Sequence, residues 1–382
     1  MWARAKSWLT PLVTLALAEV AAGTTLRFNV DLLVYYPVLL ILIPGLMDLR
    51  GNVYGALGYR LAKSLHLGLA QPRFWSKYNA VNTATGYAVS VVATITLSLL
   101  GLALSYIALL RALDVTSLLF ITLASTALVF VFLTPLTVVT INYLFTKGRD
   151  PSSFVATIVT GIGDFATPAV LITVYHLHVI LPLIVKVAFV IVVVATAVLA
   201  VVYAVRAGGG KDFLENLYSS VIASTGSSLG GFFLATRVEF VGARPEMLGV
   251  LPAFNAVTGA AMGYLGSTLN IELHLGFRDP KSTYSTEAKL GFIVTYVSIL
   301  IALILLTAVS RLPEYGFLAN IAALTLSLAV VYLAASLLTY TLATLTFKHG
   351  WDPDNVVFPV MTTVVDLMGP VALSTIGSLI LV

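Results

Sequence analysis

Apolar runs long enough to cross about 30 Å of hydrocarbon recur from residue 8 to the end of this 382-residue chain, and they leave no room for a separate soluble domain. Such a chain satisfies its backbone polar groups inside lipid in only two ways, as helices or as a closed barrel. Barrel strands are alternating segments of roughly ten residues, and the unbroken run from Val187 to Val205 does not resemble one. The expectation is an all-α integral membrane protein. Composition agrees: 59% of residues are hydrophobic, only 10% are charged, and the mean hydropathy is +0.99. The absence of cysteine excludes disulfides, thiolate metal sites and cysteine nucleophiles.

Breaks at charges, prolines and glycines divide the chain into about eleven spans, which begin near residues 8, 32, 78, 115, 152, 180, 213, 247, 290, 317 and 354. If these alternate across the membrane, one face carries in its loops only Arg27, Arg111, Arg237, Arg244 and Arg311. The other face carries the remaining Lys and Arg residues, apart from Arg50 and Lys186 within spans. The excess of basic loops marks the cytoplasmic side, so a multi-pass protein of the cell membrane is expected, with its N-terminus inside and its C-terminus outside. The formal net charge of +4 is accounted for by these loops, and no nucleic-acid partner is expected; the partners are membrane lipid and a small ion. Arg4 and Lys6 before an apolar stretch resemble a signal peptide, but a retained first helix is the expectation here, with Met1 in the chain.

The chain also repeats itself. Pro44 to Gly68 aligns without a gap on Pro252 to Gly276, sharing the proline, three internal glycines and a closing His-Leu-Gly. Asp150 to Asp164 aligns on Asp352 to Asp366: each stretch starts Asp-Pro, ends in Asp, and is followed four residues later by Pro168 or Pro370. This implies two five-helix repeats, 1–177 and 211–382, joined by one extra transmembrane helix within 178–210. Five spans reverse the chain direction and a sixth restores it, so the repeats are expected to be parallel, related by a pseudo-twofold axis along the membrane normal.

Asp164 and Asp366 lie about 20 Å along their helices from the Asp-Pro, at 1.5 Å per residue. A charge at mid-bilayer costs at least about 2.5 to 3.5 kcal/mol, so such residues face a partner, a cavity or an ion path. A parallel twofold can bring the two carboxylates together, and facing carboxylates require a cation or a proton between them. The competing reading is a pair of buried salt bridges to Arg50 or Lys186, yet the repeat duplicates the acids and neither cation. Asp48 suits an ion site or a local pair with Arg50 equally well, and its counterpart is Ala256. Asn52, Thr160, Thr362 and Thr363 are further oxygen donors for a hydrated ion. The glycine stripes at 51, 55, 58 and 259, 263, 266 point to close helix packing before they point to exposed carbonyls. His66 and His274 sit near cytoplasmic helix ends, where an interfacial role outweighs ligation, and Glu19 has no duplicate and is not assigned to a site.

Together these elements resemble the membrane domain of MgtE-type magnesium transporters, and especially their duplicated relatives in solute carrier family 41. The marks are Pro44 running to Gly51-Asn52, the Asp-Pro at 150 and 352, Pro359, and Thr362-Thr363-Val-Val-Asp366. The resemblance implies that Asp164 and Asp366 match the aspartate that lines the MgtE pore, and that one chain holds both halves of a pore otherwise made by a homodimer. It therefore implies a transporter or channel for divalent cations, Mg²⁺ foremost, acting as a monomeric pseudo-dimer. No cofactor is expected, and Mg²⁺ is cargo. Departures are the absence of the N and CBS domains from this sequence, Gly259-Ala260 in place of Gly-Asn, and Thr157 in place of the later proline in the first repeat. Exchange of Mg²⁺ for Na⁺ or H⁺ is the alternative mechanism. Gly161-Ile-Gly-Asp164 also resembles the Gly-x-Gly-Asp of presenilin-type aspartyl proteases, but the span before it has no aspartate and Pro-Ala-Leu is missing, so no enzyme is expected.

Overall fold

The computed structural model describes residues 2–68, 70–74, 76–148, 160–276, 279–310 and 316–381. The described residues form helices and no strand. In chain order the helices are α1 (Trp2–Phe28), α2 (Val30–Tyr35), α3 (Val38–His66), α4 (Lys77–Ile107), α5 (Val115–Thr146), α6 (Thr160–Ile180), α7 (Leu183–Arg206), α8 (Gly210–Ala235), α9 (Val238–Ala243), α10 (Pro245–Leu275), α11 (Pro280–Ser310), α12 (Phe317–Lys348) and α13 (Asp354–Leu381). Nine of them are long and apolar enough to cross a membrane. The long helices outside that nine are α6, which carries Asp164, and α8, which opens with Lys211, Asp212, Glu215 and Asn216 before a run of serines. The chain is thus a multi-pass, all-helical membrane protein.

Helix lengths recur along the chain. The pair α2 and α9 has six residues each, α4 and α11 have 31, and α5 and α12 have 32. The terminators recur as well. Gly68 and Gly276, which close the repeated His-Leu-Gly, both take positive φ of 69° and 64°, and Gly148 and Gly350 follow α5 and α12 at 67° and 74°. A left-handed residue just past the helix lets the chain turn back onto the last carbonyls, and glycine adopts it without a Cβ penalty. N-terminal caps are supplied locally: the Ser76 hydroxyl accepts from the Asn79 N–H at 3.1 Å, and the Asp114 carboxylate from the Ser117 N–H at 3.0 Å.

Packing divides the chain differently from the sequence repeat. One compact unit comprises residues up to Val34 together with Leu229–Val382, and the other comprises Tyr35–Ser228. Helix α1 therefore packs in the unit of the second repeat, against α10 and α11. The cause is a matched absence of side chains. Gly23 lies directly on the backbone of Gly249, and the Arg27 stem covers the same glycine. Nearer the start of α1, Trp8 is 1% exposed, with its ring 4.3 Å from that of Tyr264 and against Gly291. In the same unit α13 packs on α10 through the second glycine stripe, where Gly259 receives Thr362, Gly263 receives Phe358 and Gly266 receives Val357. The expectation of close packing holds for that stripe, whereas Gly55 in the first has nothing against it among the described residues.

The other unit is built on α3, which packs on α4, α5 and α6, while α7 packs on α4 and α5. Its core gathers Tyr54, Leu57 and Leu61 of α3 with Leu133 and Ile141 of α5. A second cluster of Val91, Leu123, Val193 and Ala197 holds α7. Hydroxyl pairs Thr94–Thr126 at 3.0 Å and Ser98–Thr122 at 2.9 Å stitch α4 to α5. In lipid such pairs supply the association that apolar contact alone does not, at about 0.6 kcal/mol each.

Candidate functional site

The two duplicated carboxylates are half-buried, one in each unit: Asp164 in the second turn of α6 as described and Asp366 near the middle of α13. The first Asp-Pro, residues 150 and 151, lies outside the described residues, as do Thr157 and the loop arginines Arg149, Arg278 and Arg311. The second Asp-Pro is placed by a cross-helix bond, in which the Asn270 amide of α10 donates to the Asp352 carboxylate at 3.0 Å. That contact ties the end of α10 to the start of α13.

The prolines four residues beyond the acids have a definite chemical effect. In an α-helix the N–H of residue i+4 bonds the carbonyl of residue i, and proline has no N–H. Pro168 and Pro370 therefore cannot serve the carbonyls of Asp164 and Asp366, so each turn presents a carboxylate and a weakened ladder position at one residue. At Asp366 the neighbour is Gly230 of α8, which lies against that carbonyl and against Pro370. A side chain at 230 would push the two helices apart. One turn farther along α13, Gly369 receives the side-chain oxygen of Asn255 from α10.

Asn255 and Thr258 were not singled out by the sequence. Both are on α10, and the Asn255 Oδ1 and Thr258 Oγ1 are buried with no hydrogen-bond partner among the described residues. They align with Met47 and Arg50, so duplication could not reveal them; the available signal was a lone asparagine in an apolar span. Thr362 and Thr363 turn their hydroxyls back onto their own helix, both onto the Pro359 carbonyl at 3.0 and 3.1 Å, while the Thr362 methyl packs on Gly259. The side chain of Thr160 lies outside the described residues.

In the other unit Asp48 and Asn52 are one turn apart on α3 and so share a face, which also includes Gly55. The Asn52 Nδ2 is buried without a partner among the described residues. Asp48 and Arg50, two residues apart, point to different sides of the helix. Arg50 is 4% exposed; its Nη2 donates to Ser125 Oγ of α5 at 2.9 Å, and its stem faces Gly163 of α6, the residue before Asp164. Lys186, the second cation of the salt-bridge reading, is elsewhere. Its ammonium reaches His178 near the far end of α6, at 3.3 Å from the ring and 3.4 Å from the carbonyl. The two conserved-in-repeat histidines are end pieces: His66 and His274 donate to the carbonyls of Ala62 and Asn270 and meet Phe145 and Phe347 edge-on. Glu19 is 1% exposed, within the unit that α1 joins.

A sequence model of the family MgtE, a divalent cation transporter, matches the chain twice, over residues 43–174 and 251–376. Together these segments cover more than half of the chain. It belongs to the MgtE family. The two matches begin one residue before the repeated prolines, and each contains its aspartate, Asp164 in the first and Asp366 in the second, so the MgtE domain is duplicated. No curated protein and no solved structure matches. The family is one of divalent cation transporters, and the protease reading rests on four residues around Asp164.

Proposed function

We propose that this MgtE-family chain is a channel-like Mg²⁺ transporter in which Asp164 and Asp366 are the carboxylates that take the ion. The observation that carries this reading is the duplicated pattern inside the two family matches: a helical acid followed by proline at the fourth position, in each half. Mg²⁺ dehydrates reluctantly and keeps several waters, so a pair of carboxylates with amides, hydroxyls and carbonyls nearby suits it better than an all-protein cage. Asp48 and Asn52 are the acid and amide ligands in one repeat; Thr160, Thr362 and Thr363 add hydroxyls or, through Pro359, carbonyl positions. A divalent ion gains about 4.6 kcal/mol per 100 mV on moving to a negative interior, enough to drive uptake without a coupled ion. The full reading has eleven crossings, with the N-terminus cytoplasmic and the C-terminus outside, and a single chain acting as its own pseudo-dimer.

Proteoliposome flux with competing Mn²⁺, Co²⁺ and Ca²⁺ tests it. Mg²⁺ uptake that follows membrane potential and is lost in D164N and D366N is the expected result. Uptake untouched by both variants would defeat the assignment. Exchange against H⁺ is the second reading, favoured by three further membrane-helix acids that are almost wholly buried, Glu19 at 1%, Glu246 at 3% and Glu287 at 6% exposure. Flux driven by an imposed pH gradient at zero potential would select it.

A further inference from the structure

We propose that Arg50 is a built-in counter-cation of Asp164, balancing the acid in the ion-free protein and keeping the divalent ion weakly held when it arrives. The proposal rests on the reading of Asp164 as an ion ligand. Two observations place the side chain there. A Cβ on Gly163, next to Asp164, would be 3.8 Å from the Arg50 Cβ, so α3 and α6 meet at this residue. The head group is anchored on one side only, by Ser125 at 2.9 Å, and its Nη1 is buried with no hydrogen-bond partner among the described residues.

A guanidinium does not deprotonate in proteins, so Arg50 is a permanent charge rather than a switch. Buried near a carboxylate it lowers the cost of that carboxylate in the empty protein. A divalent cation at Asp164 then meets like charge at short range in a medium less screening than water. The outcome is weaker binding and faster release, and conduction needs an ion that can leave as well as enter. The second repeat lacks the device. The counterpart of Arg50 is Thr258, uncharged and fully buried, so the two repeats differ in charge at this position.

The test uses the full chain in detergent and in liposomes, with R50M and R50Q to remove the charge and R50K to keep it without the fork. Mg²⁺ titrations of melting temperature and of flux give the midpoint. We expect R50M and R50Q to lower the midpoint about tenfold or more and to reduce maximal flux, with R50K between them and wild type. If R50M melts early without Mg²⁺ but regains the wild-type melting temperature in its presence, the ion is replacing the missing charge, which supports the proposal. Instability that no Mg²⁺ concentration repairs, with R50K melting like wild type, makes Arg50 a packing residue and overturns it. A wild-type midpoint in R50M and R50Q, where D164N has lost its Mg²⁺ response, overturns this proposal alone. An unchanged Mg²⁺ response in D164N removes the ligand reading itself.

Discussion

At Asp164 and Asp366, replacing either carboxylate by asparagine keeps the shape and removes one charge of those that balance the ion. D164N and D366N should each lose more than about tenfold in Mg²⁺ flux and should lose the rise in melting temperature that Mg²⁺ gives by binding the native state. Without Mg²⁺, D366N should melt no lower than wild type. D164N should melt lower, because it leaves Arg50 buried beside a neutral side chain, and one uncompensated buried charge costs up to several kcal/mol. Melts with and without Mg²⁺ measure both. At the end of the helices, burial alone would raise the Asp114 carboxyl, but its bonds from Ser117, with the charges of His178 and Lys186, bring it below the ordinary value. The ionised cap is therefore fully present above the unfolded carboxyl range near pH 4 and fades as pH falls through the lowered value. D114A should cost about 1 kcal/mol at pH 7, the usual worth of a cap, and the gap to wild type should narrow in melts near pH 3.

Among the elements, the glycine stripes differ in what an added methyl meets. On α10 a Cβ at Gly263 would collide with the Phe358 ring, and one at Gly266 with Val357. G263A should destabilise by about 1 to 3 kcal/mol, the range for overpacking. At Gly55 of α3 nothing among the described residues opposes a methyl. Backbone entropy by itself makes G55A stabilising by up to about 1 kcal/mol, because alanine loses less of it than glycine in a helix. Melting temperatures of the two variants check the contrast. The spacing of the two stripes is the same, so only the partner helix tells them apart.

For the molecule as a whole, the packing of α1 with the second repeat has a folding consequence. Residues 1–210 expressed alone would hold an α1 without its α10 and α11 partners, and 211–382 would expose the groove at Gly249 that α1 covers. Each fragment should be unstable by itself, and co-expression should recover a complex that co-purifies and melts cooperatively; fragments that are stable apart would contradict this packing. Orientation has its own check, since a cysteine near Arg311 should label from outside and one near Lys147 only from inside. The sequence by itself determined the membrane-helical class, the family and the repeat, because each is written in local signals: apolar length, the Asp-Pro and His-Leu-Gly spacings, and prolines that act on a carbonyl four residues away. It also marked both aspartates, since ionisable groups in apolar spans are conspicuous. Only the tertiary structure decided which repeat α1 packs with, that Arg50 rather than Lys186 stands by Asp164, and that Asn255 and Thr258 are buried polar neighbours in the other unit. Those are contacts between residues far apart in sequence, selected by which helix surfaces fit, and fit between glycines such as Gly23 and Gly249 leaves no periodic trace in either helix.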